Sequence, residues 1–358
     1  MRRCPLILVS ALLAGAVTPA LAQEFTVGTA RAQRGQVAYG AIDVPAGADA
    51  GTTIPVAIAH GARPGPVLAV VAGSHGTEYA SIVALQRLLP RLDARALAGT
   101  VIVLPLVNAA SFREMAVHLN PVDKKNMNRL YPGSATGTQT ERAQALIAEL
   151  VVRPAQYVVD LHGGDMDEDL RPYSYWFRGG NAELDSASRA LALAFGLDHI
   201  IVVDADLSTP AGRGNLSGYA LSLGKTAIVA EAGRSATVMP EDVAALIDGV
   251  LNVMGALKMS DRPVKPVEHP VWLDGGARVA AEGDGMFFAT VARGSYVNEG
   301  TVVGTLTDFL GRATADVRAP ASGVVTFVRG VPSVWAGATL INVGQVLATP
   351  PPYARPGR

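Results

Sequence analysis

The sequence holds one cysteine, Cys4, and few charges: Asp, Glu, Lys and Arg make up 17% of its 358 residues. A lone cysteine closes no disulfide within the chain and excludes a cysteine-rich zinc site. Any transition-metal site must be built from histidine and carboxylate. Lysine and arginine number 30 against 31 acids, with no basic block, which argues against nucleic acid or an anionic membrane surface as partner. Long apolar runs are scarce too, and the one at the start, Pro5–Val17, is short for a membrane span. It follows Arg2 and Arg3 and leads into Thr18-Pro19-Ala20-Leu21-Ala22, with small residues at −3 and −1 of a cut after Ala22. That is the pattern of a secretory signal peptide over residues 1–22. The mature chain is expected in the periplasm or outside the cell, without cysteine and without a membrane span.

What is present is apolar, 49% of the chain, enough for a sizeable core. Glu24–Ala62 alternates apolar and polar residues between glycines and prolines and reads as a few antiparallel strands. Val67–Ala72 is a buried strand, followed by an amphipathic helix over Glu78–Leu89 that Pro90 ends. Further buried strands are expected at Thr100–Val107, Gln156–Leu161, His199–Val203 and Thr226–Ala230. Asn108–Gly137 is irregular, Thr140–Val151 reads as a helix, and helices separate the later strands. This alternation predicts an α/β fold for residues 23–260: a mixed, mostly parallel central sheet flanked by helices. Residues 261–270 read as a linker, and residues 271–350 as a small all-β domain of short strands and regular glycines.

The stretch Val67–Glu78, VLAVVAGSHGTE, places His75 and Glu78 just past a strand end, where open α/β sheets put their ligand sites. An imidazole and a carboxylate three residues apart can close on one zinc ion, which when catalytic takes three protein ligands and a water. Alone, a motif of this length more often means a histidine that caps the following helix and a solvated first-turn acid. Asp160-Leu161-His162-Gly163-Gly164 ends a second strand with a histidine that could supply the third ligand. Thr226–Ala230 runs into Glu231, an edge acid or a buried general base. Asn128 and Arg129 lie between these pieces, an amide and a guanidinium suited to a carboxylate. Asp165, Asp167, Glu168 and Asp169 read as a solvated loop, or as a filter for a cationic amine on the substrate. Tyr173, Tyr175, Trp176 and Phe177 read as strand packing ahead of the alternative, a substrate platform.

HGTE, NMNR with a following PG, DLHGG and EAG in this order resemble the succinylglutamate desuccinylase/aspartoacylase family, within the zinc carboxypeptidase-like group. The resemblance covers roughly His60–Leu257. It implies one zinc per chain, held by His75, Glu78 and His162, with Glu231 as general base and Asn128 and Arg129 on the substrate's carboxylate or an equivalent acceptor. Family members usually carry an arginine further upstream, in a form like RxxPxDxxNxNR, where this chain has His118. Arg113, a protonated His118, or Arg213 are the candidate replacements.

The tail resembles a biotinyl/lipoyl-like barrel-sandwich domain, but its turn Thr307–Arg312 lacks the acceptor lysine. Packing, homo-oligomer contacts or cover for the active-site mouth are the roles left to it. The expected function is a zinc-dependent hydrolase that deacylates an N-acyl amino acid or similar small amide. The alternatives are a metallocarboxypeptidase acting on short or cell-wall peptides, and a non-catalytic periplasmic binding protein on the same fold.

Overall fold

The computed structural model describes residues 24–348 and 351–352, so the expected signal peptide lies outside the described residues. The short strands β1 (Phe25–Val27) and β2 (Ala30–Ala32) precede a long antiparallel pair, β3 (Gln36–Val44) and β4 (Thr52–His60). The α/β body then runs β5 (Arg63–Ala72), α1 (Tyr79–Leu88), β6 (Ala98–Leu104), α2 (Ala109–Glu114), α3 (Gln139–Ile147) and β7 (Tyr157–His162). It continues through β8 (Glu168–Arg178), α4 (Ala182–Phe195), β9 (His199–Asp204), α5 (Pro210–Arg213), α6 (Leu216–Ser222), β10 (Thr226–Arg234) and α7 (Pro240–Ala256). Across the sheet the order is β3-β4-β6-β5-β7-β10-β8. β6, β5, β7 and β10 are parallel at its centre, while β4 and β8 join them antiparallel, so the expected mixed sheet is present.

Alternation along the central strands builds two apolar layers, because successive side chains of a strand leave opposite faces. Leu68, Val70 and Ala72 of β5 pack with Leu85 and Leu88 of α1, Phe195 of α4, and Leu246 and Val250 of α7. Ala69 and Val71 turn to the other layer, against Ile147 of α3, Leu216 and Ala220 of α6, and Ile54 and Ile58 of β4.

The tail adds β11 (Val271–Leu273), β12 (Ala277–Ala280), β13 (Gly285–Ala289), β14 (Tyr296–Val297), β15 (Val302–Thr307), β16 (Ala313–Arg318), β17 (Gly323–Arg329), β18 (Ser333–Val334) and β19 (Thr339–Gly344). The sheet β16-β15-β13-β18 packs on a second layer containing β17 and β19 through Phe287, Val303, Val325 and Ile341. That second layer is continuous with the central sheet: β17 pairs β8, with Phe327 opposite Leu170, and β11 pairs β9. Nor is 261–270 a free linker, since Val267 N donates to Leu193 O at 3.0 Å and Arg262 Nε to Asn252 at 2.8 Å.

Candidate active site

The turn after β5 is set by two glycines. Gly73 sits at φ +69°, and a Cβ on Gly76 would come within 2.2 Å of Phe112 N. The tight turn starts α1 at Tyr79 and brings both His75 and Glu78 inward, 7% and 2% exposed. β7, two strands away in chain order but hydrogen-bonded directly to β5, delivers His162 beside them. His75 Nδ1 lies 2.6 Å from Glu78 Oε1, and His162 Nδ1 2.9 Å from Glu78 Oε2. Three ligand-type atoms, one from each residue, lie within 4.8 Å of one another. Burial alone would raise the Glu78 carboxyl, but His162 and His75 outweigh it and hold it well below the ordinary carboxylate range.

The other ring nitrogen of each imidazole is also partnered, an arrangement that in metal sites fixes the orientation of the ring. His162 Nε2 lies 3.2 Å from Asp160 Oδ2, its neighbour two residues back on the same face of β7. His75 Nε2 lies 3.2 Å from Asn126 Oδ1. Asn128 donates to Asp160 at 3.0 Å and accepts from Leu216 N at 2.7 Å, so its amide orients the ligand strand while also lining the cavity. The role of Asp160 was present in the sequence as the first residue of DLHGG; its i, i+2 spacing from His162 on a strand was the available signal.

β10 sets Glu231 directly opposite His162 on one side and Tyr173 of β8 on the other. Burial pushes its carboxyl up, with His162 opposing and the charges of Glu78, Glu168 and Asp160 adding, to about 8.

These residues share a cavity of about 690 Å³. Arg129 lines it and donates to Asn128 O at 2.8 Å. His118 lines it too, held between Asp165 (3.1 Å from Nδ1) and Asp167 (3.1 Å from Nε2). Burial works against charge on His118, yet those two carboxylates, with Glu168 adding, lift it to about 11, so the ring is a cation at neutral pH. Arg113 and Arg213 are not among the lining residues; α5 ends at Arg213, and Asn215 supplies the wall there.

Two sequence expectations change. The acidic run is no solvated loop: Asp165 and Asp167 are buried, with Asp165 also accepting from the Thr77 hydroxyl and from His118 N. The aromatic run is a strand, as expected, but alternate residues divide its work. Trp176 fills the core, whereas Tyr173, Tyr175 and Phe177 line the cavity. The remaining wall comes from the tail, through Gly275, Gly276, Arg278, Phe327, Thr339 and Asn342. Sequence spacing carried no signal for that wall.

The fold and the site define an α/β protein with a cavity built round a His–Glu–His cluster suited to one metal ion. Within that class, the model of the succinylglutamate desuccinylase/aspartoacylase catalytic domain matches residues 64–257, and the chain belongs to this family. It is 30% identical to the N-alpha-acetyl-L-2,4-diaminobutyric acid deacetylase of Halomonas elongata over 297 residues, 79% of this chain and 83% of the relative. In fold it is similar to the product-bound ectoine utilization protein EutE (DoeB) of Ruegeria pomeroyi, with a TM-score of 0.78 and 24% identity over 86% and 95% of the two chains. A succinylglutamate desuccinylase/aspartoacylase from Rhodobacter sphaeroides gives a TM-score of 0.77 and 23% identity over 87% and 96%.

Proposed function

We propose that the protein is a zinc-dependent amidohydrolase that removes the acyl group from an N-acyl amino acid outside the cytoplasm. The observation that carries this reading is the convergence of His75 Nδ1 and His162 Nδ1 on the two oxygens of one buried carboxylate, Glu78, with Glu231 in register beside them. The donor set fits the ion: two imidazoles and a carboxylate are the ligand types of a catalytic zinc, and both outer nitrogens have acceptors in place. The deacetylase relative supports the acyl–nitrogen bond as the one cleaved.

His75, Glu78 and His162 would hold the zinc, which when bound would lower the pKa of a water towards ~7 and polarise an amide carbonyl. The chain's own groups do the rest. Glu231, in register beside His162, takes a proton on its carboxylate as the water oxygen bonds to the carbonyl carbon. It gives that proton to the amine nitrogen as the C–N bond breaks, leaving a free acid and an amine. The His118 cation faces the same cavity, where positive charge favours oxygen that is becoming negative. Arg129 is available for the substrate's carboxylate.

The test is metal analysis of the mature chain beside His75→Ala, His162→Ala and Glu231→Gln, followed by a panel of N-acyl amino acids and short peptides. The expected result is about one zinc per chain, lost in both histidine variants and kept in Glu231→Gln. That last variant should lose roughly 10²–10⁴-fold in kcat on N-acyl amino acids. A zinc-free wild type after zinc is supplied, or full activity in Glu231→Gln, would overturn the mechanism.

A further inference from the structure

The His118 cation in the cavity wall does not stand alone. Its ring lies perpendicular to that of the ligand residue His75, with centroids 5.9 Å apart. Asp165 and Asp167 hold its two nitrogens, and Glu168 adjoins it, with an oxygen within 4.8 Å of a ring nitrogen. With three carboxylates in reach, the ring has more than one place to settle. What singles out one of them is that Asp167 is itself gripped from behind, by the tail. Arg329 ends β17 opposite Glu168 of β8, and its side chain is 1% exposed. Its Nη1 donates to Asp167 Oδ2 at 3.1 Å, while Asp167 Oδ1 lies 3.1 Å from His118 Nε2. One carboxylate thus joins two cations, one in the cavity wall and one in the tail.

The rest of the guanidinium is fastened within the tail. Nε donates to Ser333 O at 2.7 Å, Nη1 donates also to Thr339 O at 3.1 Å, and the guanidinium carbon lies 4.5 Å from the centroid of the Trp335 ring. Gly330 N donates to Asp167 O at 3.0 Å, so the backbones beside the pair are tied as well. A planar guanidinium held at several points keeps one direction, and so does the carboxylate it grips. Burial raises the Asp167 carboxyl, yet His118 and Arg329 outweigh it and hold it below its ordinary range. We propose that Arg329 is a positioning residue for the hydrolysis: through Asp167 it fixes the His118 ring in the cavity. The tail then acts on the chemical step as well as lining the cavity. The inference rests on the deacylase reading for the step that His118 serves; the pairing of the three residues does not depend on it.

Arg329→Met, Arg329→Lys and the double variant Arg329→Met/Asp167→Asn, made in the full mature chain, test this. On an N-acyl amino acid that the wild type cleaves, kcat should fall about ten- to a hundredfold in Arg329→Met, the scale of a small misplacement of a reacting group. KM should stay within about twofold. Arg329→Lys keeps a charge for Asp167 and should recover part of the loss. Arg329→Met strands a buried carboxylate, so its folding is at risk. The double variant removes that charge and leaves an amide oxygen within reach of His118; it should melt near the wild type, yet keep the low kcat because nothing holds the amide. The second readout needs no substrate. In 15N-histidine-labelled protein, the slowly exchanging ring N–H signals of His118 are assigned by their absence in His118→Gln. They should persist in the wild type, weaken in Arg329→Lys, and broaden away in Arg329→Met and the double variant. That pattern in a protein that cleaves no acyl substrate would sink the deacylase reading and leave the positioning of His118 standing. Wild-type kcat in Arg329→Met or in the double variant, or His118 signals unchanged in either, would overturn the assignment; a higher KM at unchanged kcat would make Arg329 a prop of the cavity wall.

Discussion

At the scale of single residues, the site was legible where chemistry and spacing coincide and illegible where only the fold creates the contact. His75, Glu78, His162 and Glu231 stand at strand ends that the apolar runs announce, and the structure brings all four together. His118 shows the other case. Its place upstream of Asn128 and Arg129 suggested a stand-in for an arginine, but the two aspartates that hold it come from a segment the sequence presents as a solvated loop. The pair has a pH signature. Its partners lift His118 from its ordinary value to about 11, so its charge stabilises the fold fully below pH ~6.5 and progressively less as pH rises towards 11. With the side chain 36% exposed, solvent screening limits the effect to about 1 kcal/mol. In metal-free protein, His118→Gln should therefore lower the unfolding free energy by about that much at pH 6 and by much less at pH 10, as read by urea titration. An equal difference at both would mean that the ring acts by packing alone.

At the scale of elements, the strands and helices around the site were readable from period and punctuation, while their fastenings were not. α3 begins at a capping box in which Thr138 and Glu141 satisfy each other, a signal present in the sequence. Its Arg142 carries no such signal, yet it fixes the connection between β3 and β4. The guanidinium is 3% exposed, pairs with Asp49 Oδ1 at 2.7 Å, and donates to the carbonyls of Pro45 and Gly137 at 2.9 and 2.5 Å. Nothing local marks a long-range fork of this kind, since apart from Gly137 its acceptors lie in the β3–β4 turn far upstream. Arg142→Ala removes one partner of a buried pair and should cost about 3–5 kcal/mol in chemical denaturation. Arg142→Lys keeps the charge but loses the fork, and should recover only part of that. A cost under about 1 kcal/mol for the alanine variant would show that the turn is held by its backbone alone.

At the scale of the whole molecule, the sequence presents the tail as a small β domain behind a linker, and in the structure one of that tail's two layers is continuous with the central sheet. β8 explains why: its first residues pair β17 of the tail, its middle pairs β10, and its end pairs β9. Strand pairing between segments so distant leaves no periodicity in either, so the sequence shows two patterns where the structure has one wall. The wall matters to the site because Phe327 and Asn342 extend the cavity face begun by Leu170 and Tyr173. Arg293 locks the junction, donating to the Leu170 carbonyl and to Gly233 O (3.2 Å) and lying 3.3 Å from Asp169 and 3.4 Å from Asp242. Asp242 is 2% exposed, so Arg293→Ala would strand a buried charge with only Arg234, 3.6 Å away, to meet it. The expected cost is about 3–5 kcal/mol. It should fall on docking of the tail rather than on the α/β core, giving faster proteolysis within residues 258–270 and a higher KM at nearly unchanged zinc content. If the variant instead unfolds in one transition with KM unaltered, the tail and the α/β body are a single cooperative unit, and the cavity wall does not depend on this lock.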